Sequence, residues 1–258
     1  HALALSEVAA KDDVTASLES HWFRGGYPES FLAKDDSTAS QWCDDFVTSY
    51  VERYLPQLGV AASSLILRRL CSMLAHQQGC TINASKLAGS LGIDGKTVRH
   101  YMDLLEGLYL LRSLPAWSRN AGKRLVKSPK TYWRDSGLLH SLAGLDDIDD
   151  LLGHPVCGHS WEGYCIEQIL ANIPQNIAAS HYRTQAGAEV DLVLEHPDGE
   201  IHAIEIKRTL SPKLTPAFIE SLKTLRATKA TYLIPDGEPF PLSGEVEAMS
   251  LRAFLRKY

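Results

Sequence analysis

The sequence predicts a mixed α/β protein, α+β in overall arrangement, with a helical N-terminal segment followed by two domains. Three observations lead there. In roughly the first half, apolar residues recur at helical spacing, and two helical stretches are separated by the short turn Gly92-Ile93-Asp94-Gly95. Strand-like runs follow that turn. Beyond an acidic stretch at 146–151 the period changes, and the order helix, three strands, helix, strand appears. The chain has 258 residues, 45% of them hydrophobic and 22% charged, so each domain has the means to bury a core.

Residues 1–60 form the helical segment. Ser37 is the expected N-cap of a helix reaching Leu55, ended by Pro56 and Gly59, and Arg24-Gly25-Gly26-Tyr27-Pro28 reads as a tight turn before it. Residues 61–145 form the second domain. A helix runs from Leu65 to about His76, with Leu67, Leu70, Cys71 and Leu74 on one face. Helices at Ala84–Leu91 and Lys96–Gly107 follow, then strand-like runs at Tyr109–Leu114 and Thr131–Trp133 around a polar loop bearing Asn120-Ala121-Gly122. Residues 146–151 are an acidic connector, and 150–258 are the third domain. Its expected elements are a helix at Ser160–Ile173 stopped by Pro174, strands at Ala179–Thr184, Glu189–Glu195 and Ile201–Arg208, a helix at Pro216–Arg226 and a strand at Ala230–Ile234. Pro197-Asp198-Gly199 suits a hairpin between the second and third strands.

Charge is uneven along the chain. Net charge is −5, yet residues 1–60 hold ten acids and four bases, while 96–134 hold nine bases against Asp103 and Glu106. A basic stretch in an acidic protein points to a local electrostatic role. The five cysteines are scattered without a C-x-x-C pair, which excludes a zinc-ribbon pattern and fits a reducing, cytoplasmic setting. No run approaches the ~20 apolar residues of a membrane helix, and the opening stretch carries Glu7, Lys11, Asp12 and Asp13, unlike a secretory signal. The chain opens on His1, which reads as a piece of a longer protein.

Helix, glycine-bearing turn, helix and two strands around a basic loop is the pattern of a winged helix. The second helix of such a unit enters a DNA major groove. Lys96, Arg99 and His100 fall near its start, and Arg119, Lys123, Arg124 and Lys127 in the loop suit phosphate neutralisation. The competing reading is a winged helix used for protein contacts or as a spacer. Gly95-Lys96-Thr97 imitates the end of a phosphate-binding loop, but Ser90 stands where that loop needs Gly and a helix precedes it instead of a strand. No nucleotide site is expected within this chain.

The chemistry concentrates in Gly187-Ala188-Glu189-Val190-Asp191 and Glu205-Ile206-Lys207. Residues two apart on a strand share a face, so Glu205 and Lys207 point together, and the hairpin is short enough to bring Asp191 beside Glu205. Paired, partly desolvated carboxylates repel, and a divalent cation removes that cost. Mg²⁺ accepts one or two carboxylates plus waters and phosphate oxygens. Tyr182, Arg183 and Gln185 are expected on the neighbouring strand, within reach of a substrate or simply on an edge-strand surface.

These residues, with Glu162 on the preceding helix, resemble the PD-(D/E)xK restriction-endonuclease-like superfamily over about residues 155–235. The resemblance implies that Asp191 and Glu205 bind Mg²⁺ or Mn²⁺. It implies that Lys207 positions or activates the attacking water or stabilises charge on the phosphate, and that Glu162 completes the metal site or orients a ligand. Val190 stands where the superfamily often has Pro. The whole chain is similar to the C-terminal part of a bacterial and archaeal family of AAA-type ATPases, through Arg24–Glu29, Tyr50–Arg53, Lys96–Val98, Leu104–Glu106, Lys130–Leu138, Trp161-Glu162, Gly187–Asp191 and Glu205–Lys207. That resemblance implies an upstream P-loop ATPase domain outside this chain. Arg24 or Arg53 would then either sense its nucleotide or serve structure. The expected function is a DNA-associated module with a metal-dependent nuclease-like site. The alternatives are a catalytically silent DNA- or protein-binding regulator of the ATPase, or an oligomerisation arm.

Overall fold

The computed structural model describes residues 14–54, 63–118 and 125–257. Two units gather the contacts. Of the described residues, one comprises 14–54, 63–113 and 131–164, the other 114–118, 125–130 and 165–257.

The first unit opens with α1 (Val14–Arg24), α2 (Pro28–Phe31) and α3 (Asp36–Phe46), and α3 runs on as a π-helical stretch, Val47–Tyr54. The expected cap at Ser37 is corrected to Asp35. Asp35 has extended backbone and its side chain accepts from Thr38 N, 2.8 Å away, so the helix starts before Ser37. The expected stop at Pro56 and Gly59 lies outside the described residues. Then come α4 (Ser64–Ala75), β1 (Cys80–Thr81), α5 (Ala84–Leu91), α6 (Gly95–Gly107), β2 (Leu111–Leu114) and β3 (Lys130–Trp133), with the short sheet ordered β1-β3-β2. Gly92, left-handed at φ 68°, closes α5, and Asp94 caps α6 by accepting from the N–H groups of Lys96 and Thr97. The apolar faces of α4, α5 and α6 meet through Leu67, Leu70, Leu87, Val98 and Leu105, all buried. Tyr109, expected to open a strand, is instead left-handed (φ 60°) and lets Leu110 N–H reach back to Leu105 O, so β2 begins at Leu111.

Two short helices complete this unit, α7 (Ser136–Leu142) and α8 (Ile148–Gly153). The expected acidic connector is thus partly helical, because Asp147 caps α8 by accepting from Asp150 N at 2.8 Å. Asp135 caps α7 through Leu138 N and also accepts from Gly26 N at 2.8 Å. The Arg24–Glu29 and Lys130–Leu138 motifs are therefore joined here. Gly25 is left-handed (φ 81°) at that join. Burial pushes the Asp135 carboxyl above the ordinary range, against the pull of the N–H groups it accepts from.

α9 (Cys157–Asn172) passes from the first unit into the second between Tyr164 and Cys165. The second unit is a six-stranded sheet ordered β4-β5-β6-β7-β9-β8. Its strands are β4 (Ala178–Arg183), β5 (Glu189–Glu195), β6 (Ile201–Ile206), β7 (Lys229–Ile234), β8 (Phe240–Ser243) and β9 (Val246–Ser250). α10 (Pro216–Leu225) links the parallel pair β6–β7, and α11 (Leu251–Leu255) follows β9. The β5–β6 hairpin turns at Gly199 (φ 89°), with Asp198 accepting from Glu200 N. One face packs Val193, Ile201, Ala203, Ala230, Tyr232 and Ala248 with Phe218 and Leu225 of α10.

The described flanks of the loop expected to act as a wing, residues 114–118 and 125–130, cluster with this second unit. Trp117 N–H bonds to His181 O at 2.7 Å and Val126 N–H to Arg183 O at 2.9 Å, so both flanks pair with the β4 edge. An edge strand has open N–H and C=O groups, and pairing satisfies them.

Candidate metal and nucleic-acid sites

Pairing in the β5–β6 hairpin sets Leu192 opposite Ile204 and Val193 opposite Ala203. Continuing that register by one brings Asp191 opposite Glu205. The side chains converge as the sequence reading expects. Lys207 Nζ lies 2.8 Å from Glu205 Oε1 and 3.8 Å from Asp191 Oδ2. Asp191 is buried, and its Oδ2 also accepts from Ile206 N at 2.9 Å, which fixes the carboxylate across the hairpin. Lys207 N–H bonds to Leu233 O, so the lysine sits just past β6 and is held by β7. The cluster lies where the parallel strands β6 and β7 end, the edge at which open α/β sheets bind ligands.

Two residues of this cluster escaped the sequence reading. Lys130, one of the nine bases counted over residues 96–134, is 2% exposed, and its Nζ lies 2.5 Å from Glu189 Oε1 and 3.7 Å from Asp191 Oδ1. The available signal was its place at the head of the aromatic run Thr131-Tyr132-Trp133, since a lysine on a wholly buried strand must find carboxylates. Tyr232 pairs with Glu205 in the parallel register. Burial, and then the Glu205 charge, push its hydroxyl up to about 12, so it stays protonated at neutral pH. Of the three residues on the preceding strand or after it, Tyr182 is in the core against Trp117 and Arg183 pairs with Glu189 at 3.7 Å. The expectation of an exposed edge residue is therefore corrected for Tyr182, which is buried with the Trp117 ring against it.

Glu162 belongs to the first unit. Its Oε1 accepts from the Tyr132 hydroxyl at 2.5 Å, and its Oε2 lies 3.4 Å from His159 Nδ1. Among the described residues, no group of three or more His, Cys, Asp or Glu side chains is arranged to hold a metal. The carboxylates that the β5–β6 hairpin brings together are Asp191 and Glu205. Two carboxylates with waters and a phosphate oxygen are a donor set of the kind Mg²⁺ or Mn²⁺ accepts; here both side chains are largely covered, at 6% and 12% exposure, while Lys207 is 48% exposed.

Lys96, Arg99 and His100 are exposed on the first turns of α6. Lys127 is exposed and belongs to the second unit. Arg119, Lys123 and Arg124 lie outside the described residues. Arg24 is structural: it donates to Asp36 Oδ1 and Ala33 O, each at 2.7 Å. Among the described residues no helix is long and apolar enough to cross a membrane.

A helical unit with a short three-stranded sheet, followed by a six-stranded mixed sheet with acids at one end, defines a two-unit mixed α/β protein. Residues 15–149 match the family described as a domain of unknown function, DUF8612, and the chain belongs to that family. Residues 157–254 match a second domain of unknown function, DUF4143. Uncharacterized proteins of Mycobacterium tuberculosis and Mycobacterium bovis are each 38% identical to the chain over 245 residues, covering 95% of it and 55% of their own length. The chain thus spans about half the length of these curated relatives. No solved structure matches it.

Proposed function

We propose that this chain is a nucleic-acid-associated part of an AAA-type ATPase, carrying a metal-dependent nuclease-like site for phosphodiester hydrolysis. The carrying observation is the convergence of Asp191, Glu205 and Lys207 at the end of β6. Asp191 and Glu205 would hold a divalent ion, which supplies Lewis-acid charge to the phosphate when bound. Lys207 would place its ammonium beside the scissile phosphate and orient a water against it. Tyr232, protonated, would offer a hydroxyl next to Glu205. On this reading α4–α6 with β1–β3 are a winged helix, and Lys96, Arg99 and His100 of α6 meet DNA. The ATPase domain would belong to the longer protein.

One observation favours a second reading, a silent binding module. Lys130, Lys207 and Arg183 already pair with the three carboxylates Glu189, Asp191 and Glu205, so the fold does not need a metal to balance them.

The two readings part in a Mg²⁺- or Mn²⁺-dependent cleavage assay on single-stranded, duplex and branched DNA. Cutting by the wild-type chain that disappears in both Asp191→Ala and Lys207→Ala supports the nuclease. Salt-sensitive binding without cutting in all three supports the silent module.

A further inference from the structure

Lys130 has a position that the proposed chemistry does not require. Its ammonium is buried and held between Glu189 and Asp191 on the Oδ1 side of the Asp191 carboxylate, while Ile206 N–H and Lys207 lie on the Oδ2 side. It opens β3 and clusters with the second unit, to which Glu189 and Asp191 also belong. A buried ammonium is tolerated only where anions meet it, and here Glu189 supplies the close contact and Asp191 the longer one. A divalent ion adding to Asp191 would face this fixed positive charge across a few ångströms of low dielectric, where like charges repel strongly.

We propose that Lys130 is a tethered counter-cation that competes with a divalent ion for Asp191 and thereby raises the metal concentration at which the site fills. This rests on the assignment of Asp191 and Glu205 as metal ligands. Lys130 serves as positioning charge and takes no part in bond making. When metal binds, the ammonium keeps its close pairing with Glu189, whose carboxylate is partly exposed, and gives up its longer contact with Asp191. The site then stays folded when metal is scarce and loads when metal is plentiful.

The test is Mn²⁺ binding to the 258-residue chain, read by the electron paramagnetic resonance of free Mn²⁺, with a thermal melt of the metal-free protein beside it. The variants are Lys130→Met, Lys130→Arg and the double variant Lys130→Met/Asp191→Asn. Removing the competing charge should tighten Mn²⁺ binding at least about tenfold in Lys130→Met. Lys130→Arg should stay near wild type, and the double variant should lose the gain. The metal-free melt of Lys130→Met should fall and recover with Mn²⁺. If that variant is unfolded without metal, the same titration is read as Mn²⁺-driven refolding, and failure to refold overturns the proposal. Equal affinity in wild type and Lys130→Met overturns the competition while leaving the metal site standing. Absence of Mn²⁺ binding in both removes the metal assignment and the competition with it.

Discussion

Ala is ordinarily the better helix former than Gly, yet at Gly137 in α7 the exchange should destabilise. A Cβ built on Gly137 lies 2.2 Å from the Arg24 carbonyl oxygen, 2.6 Å from its carbon and 3.1 Å from Gly25 N. Ordinary contact is about 3.5 Å, so the Arg24-Gly25 backbone must retreat by roughly 1 Å. It is poorly placed to do so. Arg24 is pinned to Asp36 and Ala33, Gly25 N–H bonds to His21 O, and Gly26 N–H bonds to Asp135. Overpacking of this kind costs about 1–3 kcal/mol. Loosening the Asp135–Gly26 bond costs about 1 kcal/mol more, and the gain in helix propensity returns at most about 1 kcal/mol. The net expectation is a loss near 2 kcal/mol, or about 4–8 °C in melting temperature for a chain of this size. Gly89 in α5 is the control, because nothing lies within 4 Å of its Cβ position. Gly89→Ala should stabilise by about 0.5–1 kcal/mol. Thermal melts followed by circular dichroism read both variants. A Gly137→Ala protein that melts at or above wild type would refute the join between the two motifs.

Further outcomes follow from the same structure. His140 and His202 are buried as neutral imidazoles, and burial lowers both from 6.5 to about 4. As pH falls the unfolded chain binds protons first, so this stability is whole above pH 6.5 and is lost on the way down to about 4. Each residue is worth up to about 3 kcal/mol, and urea unfolding of His140→Gln and His202→Gln across that window should give flatter profiles than wild type. If the proposed DNA contact by α6 is right, Lys96→Ala and Arg99→Ala should each weaken DNA binding uniformly across sequences and reduce the salt slope by about 1; an unchanged slope would remove α6 from the proposed interface. Asp135→Ala strips acceptors from Gly26 and Leu138 and should lower stability by about 2–3 kcal/mol in a denaturant melt.

The sheet elements were the most legible in sequence. Glu189–Glu195 was bounded to the residue, because alternation ends in charge on both sides and Pro197-Asp198-Gly199 fixes the hairpin. Asp191 and Glu205 were paired correctly for the same reason, as the short loop leaves little choice of register. Lys130 was not legible, since its partners are about sixty residues away and only the tertiary fold brings them near. Nor was the fate of the basic loop. Its composition suits a wing, but open groups on the β4 edge give its flanks a stronger backbone partner. The β8–β9 hairpin and α11 were also missed, as Pro239 and Pro241 hide the strand period there. Asp135 stood only as one residue of the Lys130–Leu138 motif, and its bond to Gly26 shows why two distant motifs belong together.

The account rests most heavily on Asp191, Glu205 and Lys207 forming one metal-dependent site. Anomalous scattering from crystals of the chain soaked in Mn²⁺ tests that directly. The account predicts one strong peak within coordinating distance of both carboxylates, absent from Asp191→Ala crystals. No peak there, or peaks confined to other surface carboxylates, would contradict it.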